Sequence, residues 1–579
     1  MQEFETELEM FSANTIGSLV MGDFNVHHAR WLKLSNGNTP EGDALLHICQ
    51  RHLLKERVGK PTRGEYLLDL VLSNLDCVRT AVLPKVADHS MLLVTLEIPH
   101  PSARFITRQV WDFKKADWDG LKTSIRNIEW HALLNGGADE AARTMTETLL
   151  SNARRFIPQR QLREEKSSHP WINDRCREAI SVKNQADGSD KFKAACESCT
   201  VILQQEYAKY LQSLQDRLKG LPKMSKQWWD VNRQLMHNAP ARETIPPLKV
   251  DGDWVYEATQ KADAFATAFS AKFHLPPASG EPAIHARNVS LSDFVLVRQR
   301  WCRRWLRKID DSKATGPDSL PGRILRECAD EIALPLCILL RAMLVQGIWP
   351  SVWQRHWVAP LHKKKSKAEP NNYRGIHLTP VLSKAAERVL GDVLVAYFEG
   401  SGAYGETQFA FRKQHSVNDV VALFVAECLL AWHSGKKLGL YLSDISGAFD
   451  KVSTDILMRK LRAVGVGNRW ATFLQSYLSA REAVVIVEGS FSAPFVIKNM
   501  IFQGTVLGPP LWNVSFQDVA RFIENIGFRE VRFADDLSVL KKFDVHMNTD
   551  VVMGELHGAQ QEVHAWGASQ QMTFDASKE

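Results

Sequence analysis

Neighbouring aspartates are hard to place, because like charges repel and neither tolerates burial. Asp535 and Asp536 nevertheless stand side by side in VRFADDLSVL (531–540), between two short apolar runs. Such runs around a tight break predict a β-hairpin whose turn holds both acids out of the core, aimed at one point. A third acid gives the pair a use. LGLYLSDISGAFDKV (438–452) is an apolar strand ending at Asp444, then a turn into a helix with Ser453 as its N-cap. If that strand lies beside the hairpin, three carboxylates converge, and only a multivalent cation makes this stable. Mg²⁺ fits, because it takes oxygen ligands and keeps positions for substrate phosphates. Two such ions stabilise the attacking and leaving oxygens of an in-line phosphoryl displacement.

The elements that must position these acids follow from the pattern around them. REAVVIVEGSFSAPFVIKNMIFQGTVLGPPLW (481–512) reads as a hairpin, a Gly/Pro-rich loop and a helix. Gly504 and Gly508 in that loop permit close backbone approach, and Gln503 offers an amide. From about residue 291, helices alternate with Gly/Pro punctuation and a few strong strands. Residues 101–290 are mainly helical. Residues 1–100 alternate β-like runs (IGSLVMGDFN, YLLDLVLSN, HSMLLVTLEI) with loops, the pattern of an α/β sandwich. The fold class expected is α+β and multidomain.

Bulk properties narrow the function classes. A chain of 579 residues has room for several domains, and 45% hydrophobic with 24% charged residues is ordinary for globular protein. No stretch is apolar enough to span a bilayer, and MQEFETELEMF lacks the pattern of a secretion signal. The nine scattered cysteines read as reduced intracellular thiols. Cys196 and Cys199 fall in a helical pattern, one turn of helix rather than a zinc site. Residues 151–240 carry 16 Lys and Arg against 10 Asp and Glu, so the whole net charge of +6 resides there. Such a stripe is either a solvated face or a phosphate-facing one. Trp228 and Trp229 within it are expected to pack in a core.

In order along the chain, these pieces resemble the palm motifs of reverse transcriptases from LINE-type (non-LTR) retrotransposons, especially the jockey-like and RTE-like groups. KATGPDSLPGRIL (313–325) resembles the segment before the fingers. VAPLHKKKSKAEPNNYRGIHLTPVLSKAAERVL (358–390) resembles the fingers, and QFAFRKQHSVNDVVAL (408–423) the segment after them. LSDISGAFDKV, FQGTVLGPPLWN, FADD and MTFDASKE resemble motifs A, B, C and D. The resemblance implies a right-hand fingers and palm over 291–579, ending after motif D without a thumb. It implies Asp444 and Asp535 as principal metal ligands with Asp536 as third acid, and two Mg²⁺ ions, with Mn²⁺ an alternative. Phe449 would lie under the incoming sugar and exclude a 2′-hydroxyl. Arg374 and one lysine of the 363–365 run, Lys363 in first place, would hold the triphosphate. Gln503 and Gly504 would sit near template and nucleotide, and Lys578 would be the motif D acid toward departing pyrophosphate. Asp450 would brace the motif A turn. Phe533, Ala410 and Gly375 depart from the usual tyrosine, glycine and proline without touching the metal acids.

VMGDFNVHHARW (20–31), LLDLVLSN (67–74) and ADHSMLLVTL (87–96) resemble the second half of an apurinic-type endonuclease domain, which LINE elements carry upstream of the polymerase. By that resemblance Asp23 and Asn25 handle the attacking water and phosphate, Asp69 orients His89, and Asp88 lies near a metal; Ala87 replaces a common serine. The strand bearing the family's metal-binding glutamate has no counterpart, and Glu3, Glu5, Glu7 and Glu9 read as a solvated helix face, so no nicking activity is expected. The basic helical segment resembles the linker between the two enzymes. The partners implied are RNA template, DNA primer or target, and dNTPs, with no membrane, in nucleus and cytoplasm. The rival readings are a non-catalytic nucleic-acid-binding remnant and an RNA-copying RNA polymerase, against which Phe449 argues.

Overall fold

Period-two alternation builds the sheet that carries the acids. Lys436–Asp444, Asp536–Asp544 and Arg529–Phe533 form a three-stranded antiparallel sheet with Asp536–Asp544 in the middle. Leu537, Val539 and Phe543 point into the main core, beside Val552, Val563 and Trp566 of helix Thr549–Ser569. Val531 and Leu540 point the other way, onto Val420 of helix Val417–His433. That helix starts at a capping box in which Ser416 and Asp419 satisfy each other's backbone N–H groups. Gly439 is required for the packing: a Cβ there would stand 2.6 Å from the Phe543 ring.

This is a computed structural model, and it describes residues 2–12, 17–32, 34–85, 88–96, 106–164, 171–188, 190–236, 245–282, 284, 286, 289–293, 295–363 and 365–575. No helix among them is long and apolar enough to cross a membrane. The architecture is mixed α/β in two compact units. The larger comprises 111–160 and 248–579, the smaller 1–110 and 161–247. These units do not follow the divisions at 100 and 290 expected from sequence texture. The reason is burial. Ala141, Met145 and Leu149 of helix Ala138–Phe156 share one core with Leu336 and Leu340 of helix Ala329–Gln346 and Leu390 of Val381–Gly400.

A second sheet in the larger unit joins Tyr373–Leu378, Arg355–His362 and Arg481–Val487, with two short strands beyond. Its two central strands run parallel, and its other pairings are antiparallel. Helix Ala258–Lys272 buries Phe265 and Phe269, and the Phe265 ring meets Tyr373 edge-on at 4.8 Å.

The smaller unit has a three-stranded antiparallel sheet of Leu19–Asp23, Asp69–Ser73 and Lys55–Glu56. Its core is formed by Leu70 and Leu72 with Leu45 and Ile48 of helix Pro40–Arg51. Val78–Lys85 and Ser90–Leu96 form a separate hairpin that leaves Leu83, Met91 and Leu93 exposed. The three sequence-read runs are therefore strands, and among the described residues they lie in one small sheet and a hairpin. Farther on, Cys196 and Cys199 lie in helix Phe192–Lys219 as expected. Trp229 does not pack in a core: it is 43% exposed, with the half-buried Trp228 ring edge-on beside it at 4.8 Å. Helix Phe192–Lys219 buries few residues, so this region offers little core for a second indole.

A polar layer is buried beneath the second sheet. His356 Nδ1 lies 3.1 Å from His377 Nδ1, and the Arg481 guanidinium donates to His356 Nε2 at 2.7 Å while lying 3.8 Å from the Phe502 ring centroid. Glu387 accepts from the backbone N–H of Val506 at 2.6 Å and of Leu507 at 3.0 Å, which anchors the 502–508 loop. Burial, and then Arg481, press His377 from its ordinary 6.5 down to about 3. The unfolded chain thus takes up a proton below pH 6.5 that the folded chain refuses until about pH 3. The stability this histidine supports is complete above pH 6.5 and is lost as pH falls toward 3, at about 1.4 kcal/mol per unit of depression. Urea unfolding from pH 7.5 to 4.5 should show the midpoint falling in wild type, with a shallower slope in His377→Asn. Parallel slopes would mean that this histidine is not the titrating group.

Candidate active site

Asp444 ends its strand directly across from Asp536. Phe533 pairs with Asp536 on the other side, so Ala534 and Asp535 are the two residues of the hairpin turn. Ala534 has φ +60°, the left-handed region, where glycine is the usual occupant of such a turn. An alanine there is strained by about 1–2 kcal/mol. The fully buried Gln408 holds it from both sides. Its Oε1 accepts from Ala534 N at 3.1 Å and its Nε2 donates to Ala534 O at 3.2 Å. Trp512 Nε1 donates to the same carbonyl at 3.0 Å.

The three acids line one cleft of about 920 Å³ together with Lys363, Arg374, Phe449, Gln503 and Gly504. Burial first, and Asp535 second, push the Asp536 carboxyl above its usual range. That is the direction expected where acids gather, and their all-oxygen donor set fits Mg²⁺ or Mn²⁺. Their oxygens are not all within 4.8 Å of one another. A pair of ions roughly 3.5–4 Å apart needs ligands on both flanks, so this spread is compatible with it.

Around the acids, Gly447 turns the chain with φ +68° three residues after Asp444. Ser453 occupies the N-cap of helix Thr454–Ala463, but its side chain makes no capping bond. Phe449 is half-buried, stacks on Trp512 at 5.4 Å and faces the cleft, so one ring both packs and forms a wall. Gln503 Nε2 donates to Asp450 Oδ1 at 3.2 Å, and its carbonyl accepts from His377 N at 3.1 Å. Gly504 has φ +95°, and a Cβ there would stand 3.1 Å from the His377 carbonyl. Of the lysine run, Lys363 reaches the cleft, and Lys364 is outside the described residues. Thr573–Asp575 runs beside motif A, with Ser446 N donating to Thr573 O at 2.8 Å and Asp575 N to Asp444 O at 3.0 Å. Lys578 is outside the described residues.

Sequence reasoning missed two side chains here. Gln408 opens a segment already singled out, but nothing local says that its amide clamps a turn more than a hundred residues later. Lys272 lines the cleft from a helix with no motif of its own. Asp450 does more than brace the turn. Burial raises its carboxyl, against the opposing pull of Lys272, Arg374, Lys363 and Lys451.

In the smaller unit Asp23 pairs across strands with Asp69, and Asp69 Oδ2 lies 2.8 Å from His89 Nδ1. Ligand atoms of Asp23, Asp69 and His89 all fall within 4.8 Å of one another. Asn25 has φ +49° and its N–H donates to Asp23 Oδ1 at 3.1 Å. Asp88 pairs with Arg63 at 3.0 Å and is 4.0 Å from His89 Nε2. Ala87 is outside the described residues. Glu3, Glu7 and Glu9 are exposed, whereas Glu5 pairs with Arg51, and ligand atoms of Glu5, Glu9 and His52 also fall within 4.8 Å of one another.

Residues 361–579 match the model of the family described as reverse transcriptase (RNA-dependent DNA polymerase). The chain is similar to the "Probable RNA-directed DNA polymerase from transposon X-element" of Drosophila melanogaster, 23% identical over 93% of this chain and 62% of the relative. It is 23% identical to the corresponding protein of transposon BS from the same organism, over 86% of this chain and 58% of the relative. It is 25% identical to the RNA-directed DNA polymerase from mobile element jockey of Drosophila funebris, over 60% of this chain and 39% of the relative. Residues 361–579 thus resemble a reverse transcriptase, and the chain is similar to polymerases of mobile elements, spanning less than two thirds of the length of these curated relatives.

The Gln408 clamp is testable in isolation. Gln408→Ala should lower unfolding stability by about 1–3 kcal/mol, the cost of unpaired buried backbone groups. Ala534→Gly should recover part of that loss, because glycine adopts the turn unaided. A double-mutant cycle by thermal unfolding measures the coupling, and strict additivity would show that Gln408 does not hold the turn.

Proposed function

We propose that this chain is an RNA-directed DNA polymerase of a LINE-type retrotransposon, extending a primer 3′-hydroxyl with deoxynucleotides on an RNA template. The observation that carries this reading is the register of Asp444 against Asp536, in a cleft whose other walls present Phe449, Lys363 and Arg374. Asp444, Asp535 and Asp536 are the residues that would hold two Mg²⁺ ions, which when bound supply charge stabilisation for the attacking and leaving oxygens. Arg374 and Lys363 hold the triphosphate. Phe449, fixed from behind by Trp512, closes the space a 2′-hydroxyl would need. The Gln503–Gly504 loop supports the template and nucleotide. Lys578 follows the 573–575 segment that runs beside Asp444, and is assigned as proton donor to the departing pyrophosphate.

The excess basic charge of 151–240 is assigned to phosphate contacts with template RNA or target DNA. Asp23, Asn25, Asp69, Asp88 and His89 are assigned to an apurinic-type endonuclease-like site. There the 2.8 Å Asp69–His89 contact orients the imidazole.

Primer extension on an RNA template with Mg²⁺ tests the reading. Wild type should incorporate dNTPs, and Asp535→Asn should abolish incorporation while leaving primer–template binding intact. Salt-sensitive nucleic-acid binding without any extension would favour the non-catalytic reading instead. Phe449→Ala should raise ribonucleotide incorporation relative to deoxyribonucleotide by about tenfold or more. Equal use of both sugars by wild type would remove Phe449 from the sugar-selecting role.

A further inference from the structure

The cleft is lined by acids, Asp444, Asp450, Asp535 and Asp536, and by cations, Lys272, Lys363, Arg374 and Lys451. Lys272 lies upstream of the fingers and palm expected over 291–579. It is the last residue of helix Ala258–Lys272, well upstream of the matched region that begins at residue 361. The helix is held by packing: Phe265 and Phe269 are buried and stack at 5.7 Å, and Phe265 sits against Tyr373. This delivers the Lys272 ammonium to the cleft wall, 5.0 Å from the Phe269 ring centroid, where it donates to the Tyr373 carbonyl at 2.8 Å.

One neutral carbonyl is a poor partner for a half-buried ammonium, which has three protons to donate. Burial presses the Lys272 pKa below its usual range, and Lys363 and Arg374 press the same way, against the pull of Asp450. Lys272, Arg374, Lys363 and Lys451 all act on the half-buried carboxylate of Asp450, whose ionisation burial opposes. A polyphosphate entering the cleft offers the Lys272 ammonium the anionic acceptors that a neutral carbonyl does not.

Resting on the polymerase reading above, we propose that Lys272 is a third triphosphate-binding cation, contributed by the upstream helix, so that this helix is part of the nucleotide site. The Tyr373 carbonyl holds the ammonium in place until a triphosphate enters. The helix therefore couples the segment before the fingers to nucleotide affinity.

The experiment measures equilibrium binding of a deoxynucleoside triphosphate with Ca²⁺, and of the corresponding deoxynucleoside, to full-length protein on primer–template. It is repeated for Lys272→Gln, which keeps a donor for Tyr373 but no charge, and for Lys272→Arg. Lys272→Gln should weaken triphosphate binding about tenfold, with deoxynucleoside binding unchanged. Lys272→Arg should restore most of the affinity, and in extension assays the loss should fall on KM more than on kcat. Triphosphate affinity unchanged in Lys272→Gln, equal weakening of nucleoside and triphosphate, or no triphosphate binding by wild type would each overturn the proposal. Lys272-dependent triphosphate binding without primer extension would uphold it while removing the polymerase reading.

Discussion

Like charges directly opposite one another across a sheet are destabilising, and the sheet at the heart of this molecule places Asp444 opposite Asp536 with Asp535 in the adjoining turn. Much of the surrounding structure reads as a response to that repulsion. The middle strand is locked on one face by Leu537, Val539 and Phe543 and on the other by Leu540. A one-residue slip would expose this whole apolar set, so the register that sets acid against acid is enforced by the core. Gly439 admits the Phe543 ring, and Gln408 and Trp512 hold the turn at Ala534. Packing energy remote from the acids thus offsets the strain of gathering them.

The same logic explains why the polar groups under the 502–508 loop are fully buried. The loop buries Phe502 and Leu507, and its backbone is tied down as well by hydrogen bonds. Glu387 takes the N–H groups of Val506 and Leu507, and His377 donates its own N–H to the Gln503 carbonyl. Keeping the His356–His377 pair neutral suits this role, since Arg481 already places a positive charge beside it.

The acids were legible in the sequence because their signal is local. Alternating apolar residues fix which strands carry Asp444 and Asp536, and the strand ends fix where the carboxylates emerge. Gln503 and Gly504 were legible for the same reason, a Gly/Pro loop between two strong elements. Gln408 and Lys272 were not, because an amide or an ammonium acquires its role only from what the fold brings to it. The unit boundaries were obscured likewise. Helix Ala138–Phe156 has an ordinary amphipathic pattern, and nothing in it says that its buried face meets Ala329–Gln346. In the smaller unit the strands were legible, but not which of them pair. Alternation predicts one buried face per strand without naming the partner, and the Val78–Lys85 hairpin exposes its apolar residues instead.

The two carboxylate sites differ in how they close their charge. In the smaller unit Asp69 has an imidazole within hydrogen-bond distance and Asp88 has Arg63, so those acids are balanced by side chains of the same unit. In the larger unit Lys272, Lys363, Arg374 and Lys451 line the same cleft as the three acids, and the influence raising the Asp536 carboxyl, after burial, is another acid. A site that balances its own charge is stable without a ligand. One that sets Asp444 against Asp536 and lines the same cleft with cations suits a ligand bringing charge of both signs, the polarity that the proposed nucleoside triphosphate with its divalent ions would have.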